Sequence, residues 1–467
     1  MNGRRVHFIG IAGTAMATLA AMLKARGYDV QGSDHGVYPP MSDFLVREGI
    51  RVLDGYRAEH ITADIDSVIV GNAISRGNPE LEEVLDRKIR YRSLPEIIRD
   101  EFLWGARSIV IAGTHGKTTT TAMTGWLLTA GGLDPSLLVG GIAANFDGSY
   151  RLGAGRDFVI EGDEYDTAFF DKTAKFLKYL PDIAVVGNLE YDHADIYGDM
   201  ETLRIAFRRL LTLVPRNGLV ILGADSPEAA RLQEFARSKV ETFGLGAEAD
   251  WRATAITRLG SLCKFDVSFR DERFGQFEVP LYGSHNVKNA LAALAVGRAV
   301  GLSPDSLRRA LAEFKGVRRR LELRGVARGV SVYDDFAHHP TAILETLNAV
   351  RSAHPNDRVW AVFEPRSATS CRRVFQDDFA KAFIESGPDE TILAPVFRST
   401  LPEAERLSVD ELVRDVTRAG RHARCLPDVD AIVAAIAAEA QPGDLVVIMS
   451  NGGFGGIHNK LLDALAA

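Results

Sequence analysis

Short apolar runs recur along this chain, and most of them end in a glycine-rich or acidic turn. Residues 5–11 read as a buried strand, followed by a glycine-rich turn and an Ala/Leu-rich helix to about Arg26. Residues 29–32 predict a second strand that ends at Ser33-Asp34, and residues 67–71 a third. The pattern restarts near Arg107: a strand at 108–112, a loop at 113–118 opening a new helix, and strands at 158–160, 183–186 and 219–221. Alternating patches over 250–280 suggest antiparallel strands, and a helix follows from about Asn286 to Val300. A third unit begins near Leu321, with strands at 329–333, 358–363 and 445–449. Strands alternating with helices predict an α/β protein built on parallel, doubly wound sheets. Its natural divisions are 1–106, 107–320 and 321–467.

Composition changes this picture little. At 467 residues the chain has room for about three domains, and 46% hydrophobic content is enough to bury several cores. A net charge of -7 argues against nucleic acid as a partner. Cys263, Cys371 and Cys425 are far apart and odd in number, which reads as reduced thiols in a cytoplasmic protein. The start of the chain superficially resembles a secretion signal, but Gly10, Gly13 and Thr14 break the apolar run into a strand–turn–helix pattern. No stretch is apolar for long enough to predict a membrane span.

The sharpest motif is Ile111-Ala-Gly-Thr-His-Gly-Lys-Thr-Thr119. A strand, a glycine-rich loop and a helix start occur together, so backbone N–H groups from Gly113, Thr114, His115 and Gly116 can cradle phosphates, with Thr119 in the opening turn. Lys117 would neutralise the β/γ-phosphates and the Thr118 hydroxyl would reach Mg²⁺. The spacing departs from the general P-loop, because the expected first glycine is Ile111. Glu161 ends a strand beside this loop and suits Mg²⁺, with Asp163, Glu164 and Asp166 just beyond. His193, in Glu190-Tyr-Asp-His193, reads as a metal ligand, a proton carrier or a structural residue. Asn286 and Asn289 lie one helical turn apart, so both can face one ligand such as adenine, or Asn286 can cap the helix. Asp334-Asp-Phe-Ala-His-His-Pro340 follows a strand: carboxylates for ribose hydroxyls and histidines for an anionic substrate, or an ordinary turn with Pro340 early in a helix. Gly10 and Gly13 form only a partial dinucleotide fingerprint and imply an anion at a helix N-terminus.

In this order the motifs resemble the Mur ligases over the whole chain: the 113–119 loop, Glu161, His193, His285 to Asn289, Arg320 and Asp334-Asp335. The resemblance implies a Rossmann-like N-terminal domain for a UDP-sugar, a central P-loop ATPase domain and a Rossmann-like C-terminal domain. It implies ATP and Mg²⁺, with Lys117 and Thr118 on the triphosphate, and Thr118, Glu161 and His193 on the metal. Asn289 would meet adenine, Arg320 the phosphates and Asp335 the ribose. Gly10, Gly13, Thr14, Ser33, Asp34 and Asn72 would face UDP-N-acetylmuramate, and His338, His339 and Arg366 the incoming peptide. Lys117, His193 and Arg320 would carry the chemistry. Tyr38-Pro-Pro-Met-Ser42, residues 71–79, Glu364-Pro-Arg-Ser367 and residues 450–458 resemble the wall-recycling branch, which implies a murein tripeptide as acceptor and a monomer or weak homo-oligomer. The alternative acceptor is free L-alanine. A non-catalytic UDP-sugar/ATP sensor would share the same binding motifs, while an NAD-dependent oxidoreductase would leave the Gly-Lys-Thr loop unexplained. Two departures stand out. No lysine lies between His193 and Pro215, where several Mur ligases carry a carbamoylated one, and Thr369 stands where alanine ligases tend to have a second arginine.

Overall fold

The computed structural model describes residues 4–37, 41–397 and 400–467, so Tyr38, Pro39 and Pro40 lie outside the described residues. Three α/β units follow one another along the chain. In the first, five parallel strands are ordered Arg51–Asp54, Asp29–Asp34, Arg5–Ile9, Ser67–Val70 and Tyr91–Ser93. The first strand in sequence therefore lies in the middle of the sheet. Strands are added first to one side of it and then to the other, and this switch in winding opens a crevice beyond its C-terminal end. Gly10 turns the chain there at φ +84°.

The central unit is a ten-stranded sheet. Its parallel middle runs Lys239–Gly244, Leu219–Gly223, Ile183–Val186, Arg107–Ala112, Asp157–Glu161 and Ser136–Ala143. Trp251–Leu259 continues it in parallel beside Lys239–Gly244, and antiparallel pairings then extend both edges: Leu262–Phe269 and Glu272–Val279 on that side, Gly148–Arg151 on the other. Apolar side chains such as Ile109, Ile111, Val185 and Ile221 pack under the helices Lys117–Ala130 and Ser284–Ala299. The second helix is apolar nearly all round, with Ala290, Ala292, Ala293 and Ala295 buried, as expected for a helix covered on most sides. The third unit is a six-stranded sheet ordered Glu322–Ala327, Val330–Asp335, Leu445–Met449, Val359–Phe363, Glu390–Leu393 and Ala423–Cys425, parallel except at its first strand. No helix among the described residues is long and apolar enough to cross a membrane.

One local expectation is corrected. The helix predicted from Asn286 begins at Ser284, so Asn286 sits inside its first turn. Its amide donates to the Tyr282 carbonyl at 2.7 Å and does not cap by accepting backbone N–H groups. Pro340 does open a helix, Pro340–Ala353, and the residue that caps it is His339, whose side chain accepts from Thr341 N.

Candidate active site

The strand Arg107–Ala112 delivers its chain into the Gly113–Gly116 loop, and two glycines there are required by geometry. Gly113 has φ +127°, and an added Cβ would lie 2.9 Å from the Asn188 carbonyl oxygen. Gly116 has φ +81° and caps the helix Lys117–Ala130; a Cβ there would lie 2.5 Å from Asn289 Oδ1. The loop is thus pressed between residues 187–188 and Asn289. Thr114 N donates to the Asn188 carbonyl, and His115 N to Asn188 Oδ1 at 2.8 Å. Asn289 donates to Asn286 Oδ1 at 3.0 Å, so the two amides share one face as their spacing predicts. Thr119 is buried in the helix's opening turn.

Lys117 is folded back onto its own loop. Its ammonium donates to the Gly113 carbonyl at 2.7 Å, to the Thr114 carbonyl at 3.2 Å, and to both oxygens of Glu164 at 2.8 and 2.9 Å. Burial works against its charge, but the Glu164 carboxylate outweighs that and holds its pKa above the usual lysine value. Thr118 Oγ1 donates to Glu161 Oε1 at 3.0 Å and accepts from Arg320 at 3.2 Å, while Gly140 N donates to the other Glu161 oxygen at 2.7 Å. Burial raises the Glu161 carboxyl, opposed by Lys117, Gly140 and Arg320. Thr118, Glu161 and Arg320 therefore form one contact group, with Lys117 acting on Glu161 through its charge.

His193 meets this group through Glu164, with Nε2 3.2 Å from Glu164 Oε1. Its backbone is left-handed, φ 54°, which non-glycine residues seldom adopt and which marks functional loops. Burial opposes its charge, yet Glu164 and Asp192 together push its pKa up. Glu164 is the residue the sequence reading left unassigned. It lay in the acidic run 161–166, but nothing in that run distinguishes the carboxylate that turns inward to 1% exposure. The donor set fits Mg²⁺: Thr118 and Glu161 supply oxygens.

Arg320 belongs to the segment joining the central and C-terminal units. Arg319 and Leu321, either side of it, both have positive φ. The segment is fixed from the C-terminal side: Leu321 N donates to Asp335 Oδ2 at 2.6 Å, and Arg319 donates to the Ser450 and Gly452 carbonyls at 2.7 Å each. Asp335 also accepts from Ala337 N at 2.7 Å and is buried, so both its oxygens serve this turn. A ribose hydroxyl would share these oxygens with the turn, as Thr346 Oγ1 already does with Oδ1 at 3.4 Å.

A cavity of about 390 Å³ lies against the loop, walled by His115, Asn188, Glu190, Asp225, Asn289 and Thr341. It draws on both the central and C-terminal units. Thr341 and Glu345 line it from the C-terminal side, and the His339 ring stands 4.7 Å from that of His115, which lines it from the central unit. The neighbouring His338 donates through Nδ1 to the Phe336 carbonyl at 2.9 Å, since a carbonyl only accepts; burial pushes its pKa down to about 4. Arg366 lies at the C-terminal end of Val359–Phe363, over the Phe397 ring at 3.9 Å and against Gly452, where any Cβ would collide with it. Ser450 donates to Glu364 at 2.5 Å, which joins the 364–367 and 450–458 segments at the ends of adjacent parallel strands. Thr369 is buried and donates to Asp192, beside His193.

The N-terminal candidates are split. Gly13 precedes the helix Thr14–Ala25 without a side-chain cap, leaving its first N–H groups facing the crevice. Asp34 accepts from Ala12 N at 2.8 Å and from Tyr56 OH at 2.9 Å, which holds the glycine turn. Ser33 turns the other way, fully buried on Glu80 at 2.5 Å. Asn72 reaches out of its domain and donates to Asp166 of the central unit at 3.0 Å.

Known proteins match this arrangement from end to end. Residues 5–101 match the description "Mur ligase family, catalytic domain", residues 111–297 "Mur ligase middle domain" and residues 319–452 "Mur ligase, glutamate ligase domain". The UDP-N-acetylmuramate–L-alanyl-γ-D-glutamyl-meso-2,6-diaminoheptandioate ligase of Escherichia coli (strain K12) is 41% identical over 99% of this chain and 98% of its own length. The UDP-N-acetylmuramate–L-alanine ligase of Rhizobium meliloti (strain 1021) is 38% identical over 96% of this chain and 94% of its own. The crystal structure of a murein peptide ligase from Psychrobacter arcticus is 36% identical, covers 99% of both chains and superposes with a TM-score of 0.74. The chain belongs to the Mur ligase family.

Proposed function

We propose that this protein is an ATP-dependent ligase joining UDP-N-acetylmuramate to L-alanyl-γ-D-glutamyl-meso-2,6-diaminoheptandioate, releasing ADP and phosphate. The observation that carries the ligase reading is the clustering of Thr118, Glu161 and Arg320 next to Lys117, which itself lines a nucleotide-sized cavity. The lactyl carboxylate attacks the γ-phosphorus of ATP, and the bond to the ADP oxygen breaks, giving an acyl phosphate. The peptide's α-amine then attacks the acyl carbon, phosphate leaves, and the amine gives up a proton. Little covalent chemistry falls to the protein in such a reaction; it positions reactants and neutralises charge. Lys117 exchanges Glu164 and its loop carbonyls for phosphate oxygens, and Arg320 reaches the same phosphates from the inter-domain segment. Mg²⁺, when bound, would be held by Thr118, Glu161 and His193 and would offset the phosphate charge. Soluble nucleotide substrates put the reaction in the cytoplasm.

Three histidines are candidates to accept the amine's proton. His193 is engaged with Glu164, and His339 with Tyr191 and its helix cap. His338 keeps the lone pair of Nε2 free of partners among the described residues, because Nδ1 carries its hydrogen. His338 is therefore the histidine left free to accept it, and Arg366 would meet a peptide carboxylate. The tripeptide, as against free L-alanine, is supported by the Escherichia coli relative and by Thr369, a buried neutral side chain where alanine ligases tend to carry an arginine. The test is phosphate release with ATP, Mg²⁺ and UDP-N-acetylmuramate, comparing L-alanine with the tripeptide. Turnover with the tripeptide alone is expected. Turnover with L-alanine would move the chain to the biosynthetic branch, and turnover with neither would leave it a sensor.

A further inference from the structure

We propose that His115, Glu190 and His339 form a binding site for a borderline divalent cation such as Zn²⁺, separate from the oxygen-lined Mg²⁺ position at Thr118 and Glu161. One ligand atom from each of the three lies within 4.8 Å of the others. His115 Nε2 is 3.2 Å from Glu190 Oε2, and His339 Nδ1 is 3.7 Å from the same oxygen. Ligands about 2.1 Å from a tetrahedral ion stand roughly 3.4 Å apart, so the spacing needs only small adjustments.

The hydrogen bonds around the cluster set it up for a cation. His339 Nε2 lies 3.2 Å from the Tyr191 carbonyl, which can only accept, so Nε2 carries the hydrogen. Nδ1 then accepts only a long 3.3 Å bond from Thr341 N and lies 3.7 Å from a Glu190 oxygen, so a cation between them would take over that lone pair at the cost of the helix-capping bond. Donation from the far ring nitrogen to a carbonyl is the usual orienting device of metal-binding histidines. Thr341 Oγ1 donates to Glu190 Oε2 at 2.6 Å and fixes the carboxylate in the same way. Burial keeps His339 neutral, the form that binds metal. Two imidazoles and one carboxylate suit Zn²⁺, Co²⁺ or Ni²⁺ over Mg²⁺. Three protein ligands leave a fourth position open toward the cavity, for water or an anionic oxygen.

The site spans two units. His115 belongs to the phosphate loop and Glu190 to the loop after the central strand Ile183–Val186, whereas His339 caps a helix of the C-terminal unit. A bound ion would tie that helix to the phosphate loop. The inference does not depend on which amine is ligated.

The test is calorimetric titration of chelator-stripped, full-length protein with Zn²⁺ in excess Mg²⁺, alongside thermal melts. One Zn²⁺ per chain is expected, with at least tenfold weaker binding in His115→Gln and in Glu190→Gln. Binding should be retained in His193→Gln, and Zn²⁺ should raise the melting temperature of the unsubstituted protein but of neither of the first two variants. Co²⁺ added to the unsubstituted protein should give the intense visible bands of a four-coordinate site, a readout that needs no variant to fold. The proposal is overturned if Zn²⁺ does not bind, if Mg²⁺ displaces it, if Co²⁺ remains six-coordinate, or if only His193→Gln loses it.

Discussion

Glu164 holds Lys117 and His193 together, so replacing it with glutamine tests the arrangement of the phosphate loop. The carboxylate is 1% exposed and accepts from the Lys117 ammonium through both oxygens. Glutamine keeps the shape and one accepting oxygen but removes the charge. Stranding a buried ion outright costs about 3–5 kcal/mol. Here Glu161 and Asp163 remain near enough to act on Lys117, so the smaller range for a charge-assisted hydrogen bond applies, about 1.5–3 kcal/mol. For a domain of this size that predicts a fall in melting temperature of roughly 3–12 °C. ATP binding should move the other way. In the free protein Glu164 competes with the triphosphate for Lys117 and repels it by charge. Relief of about 1–2 kcal/mol would tighten metal-free ATP roughly five- to thirtyfold. Calorimetric titration without Mg²⁺ and differential scanning calorimetry supply the two numbers. Unchanged stability together with unchanged or weaker ATP binding would refute the idea that Glu164 is Lys117's resting partner.

Other substitutions follow from the same geometry. Gly116→Ala forces a side chain into φ +81° and against Asn289; strain of about 1–2 kcal/mol and a lost hydrogen bond of about 1 kcal/mol should lower stability and raise the ATP KM, measured by melting and steady-state kinetics. Arg320→Ala removes a donor aimed at the phosphates, so kcat/KM should fall roughly 10²- to 10³-fold with little change in melting temperature. Thr369→Val strips a hydroxyl donor from buried Asp192, at about 1–3 kcal/mol by denaturant titration, and should weaken peptide use more than ATP use. Glu80 gives the pH dependence. Burial would raise its pKa, but hydrogen bonds from His7, Ser33 and His60 outweigh that and hold it below the ordinary 4.5. Its stabilisation is therefore present above that value and lost as pH falls through the lower folded pKa. An acid melt should show the N-terminal transition losing stability below about pH 4.5, and Glu80→Gln should flatten that slope.

What the sequence revealed, and what it did not, divides along physical lines. Strands with continuous apolar runs, such as Ile183–Val186 and Leu445–Met449, were readable because both faces of a parallel sheet are covered and periodicity is unnecessary. Lys239–Gly244 is hard to read because it alternates polar and apolar residues, and its Glu241 is 1% exposed beside Trp251 and Arg298, partners outside any local pattern. Ser136–Ala143 was hidden by Gly140 and Gly141, which local rules read as a turn. In the structure their lack of Cβ lets Glu161 and Thr118 approach.

The same reasoning separates the two kinds of site residue. Loop residues such as Gly113, Lys117 and Thr118 owe their roles to consecutive spacing, which a sequence carries directly. Glu164, Arg320, Asn72 and Thr369 owe theirs to contacts with residues far along the chain: Glu164 with Lys117 and His193, Arg320 with Thr118, Asn72 with Asp166, Thr369 with Asp192. Two of these four, Asn72 and Thr369, cross from one unit to another, and Arg320 lies on the segment that joins two. Each such contact is a hydrogen bond or two on a boundary, worth about 1 kcal/mol and more where a charge takes part. That is weak enough to break and re-form when substrates arrive. The residues hardest to read from sequence are thus the ones on which closure of the three units around substrate would depend. Substitutions there should alter the coupling between ATP and peptide binding more than the affinity for either alone.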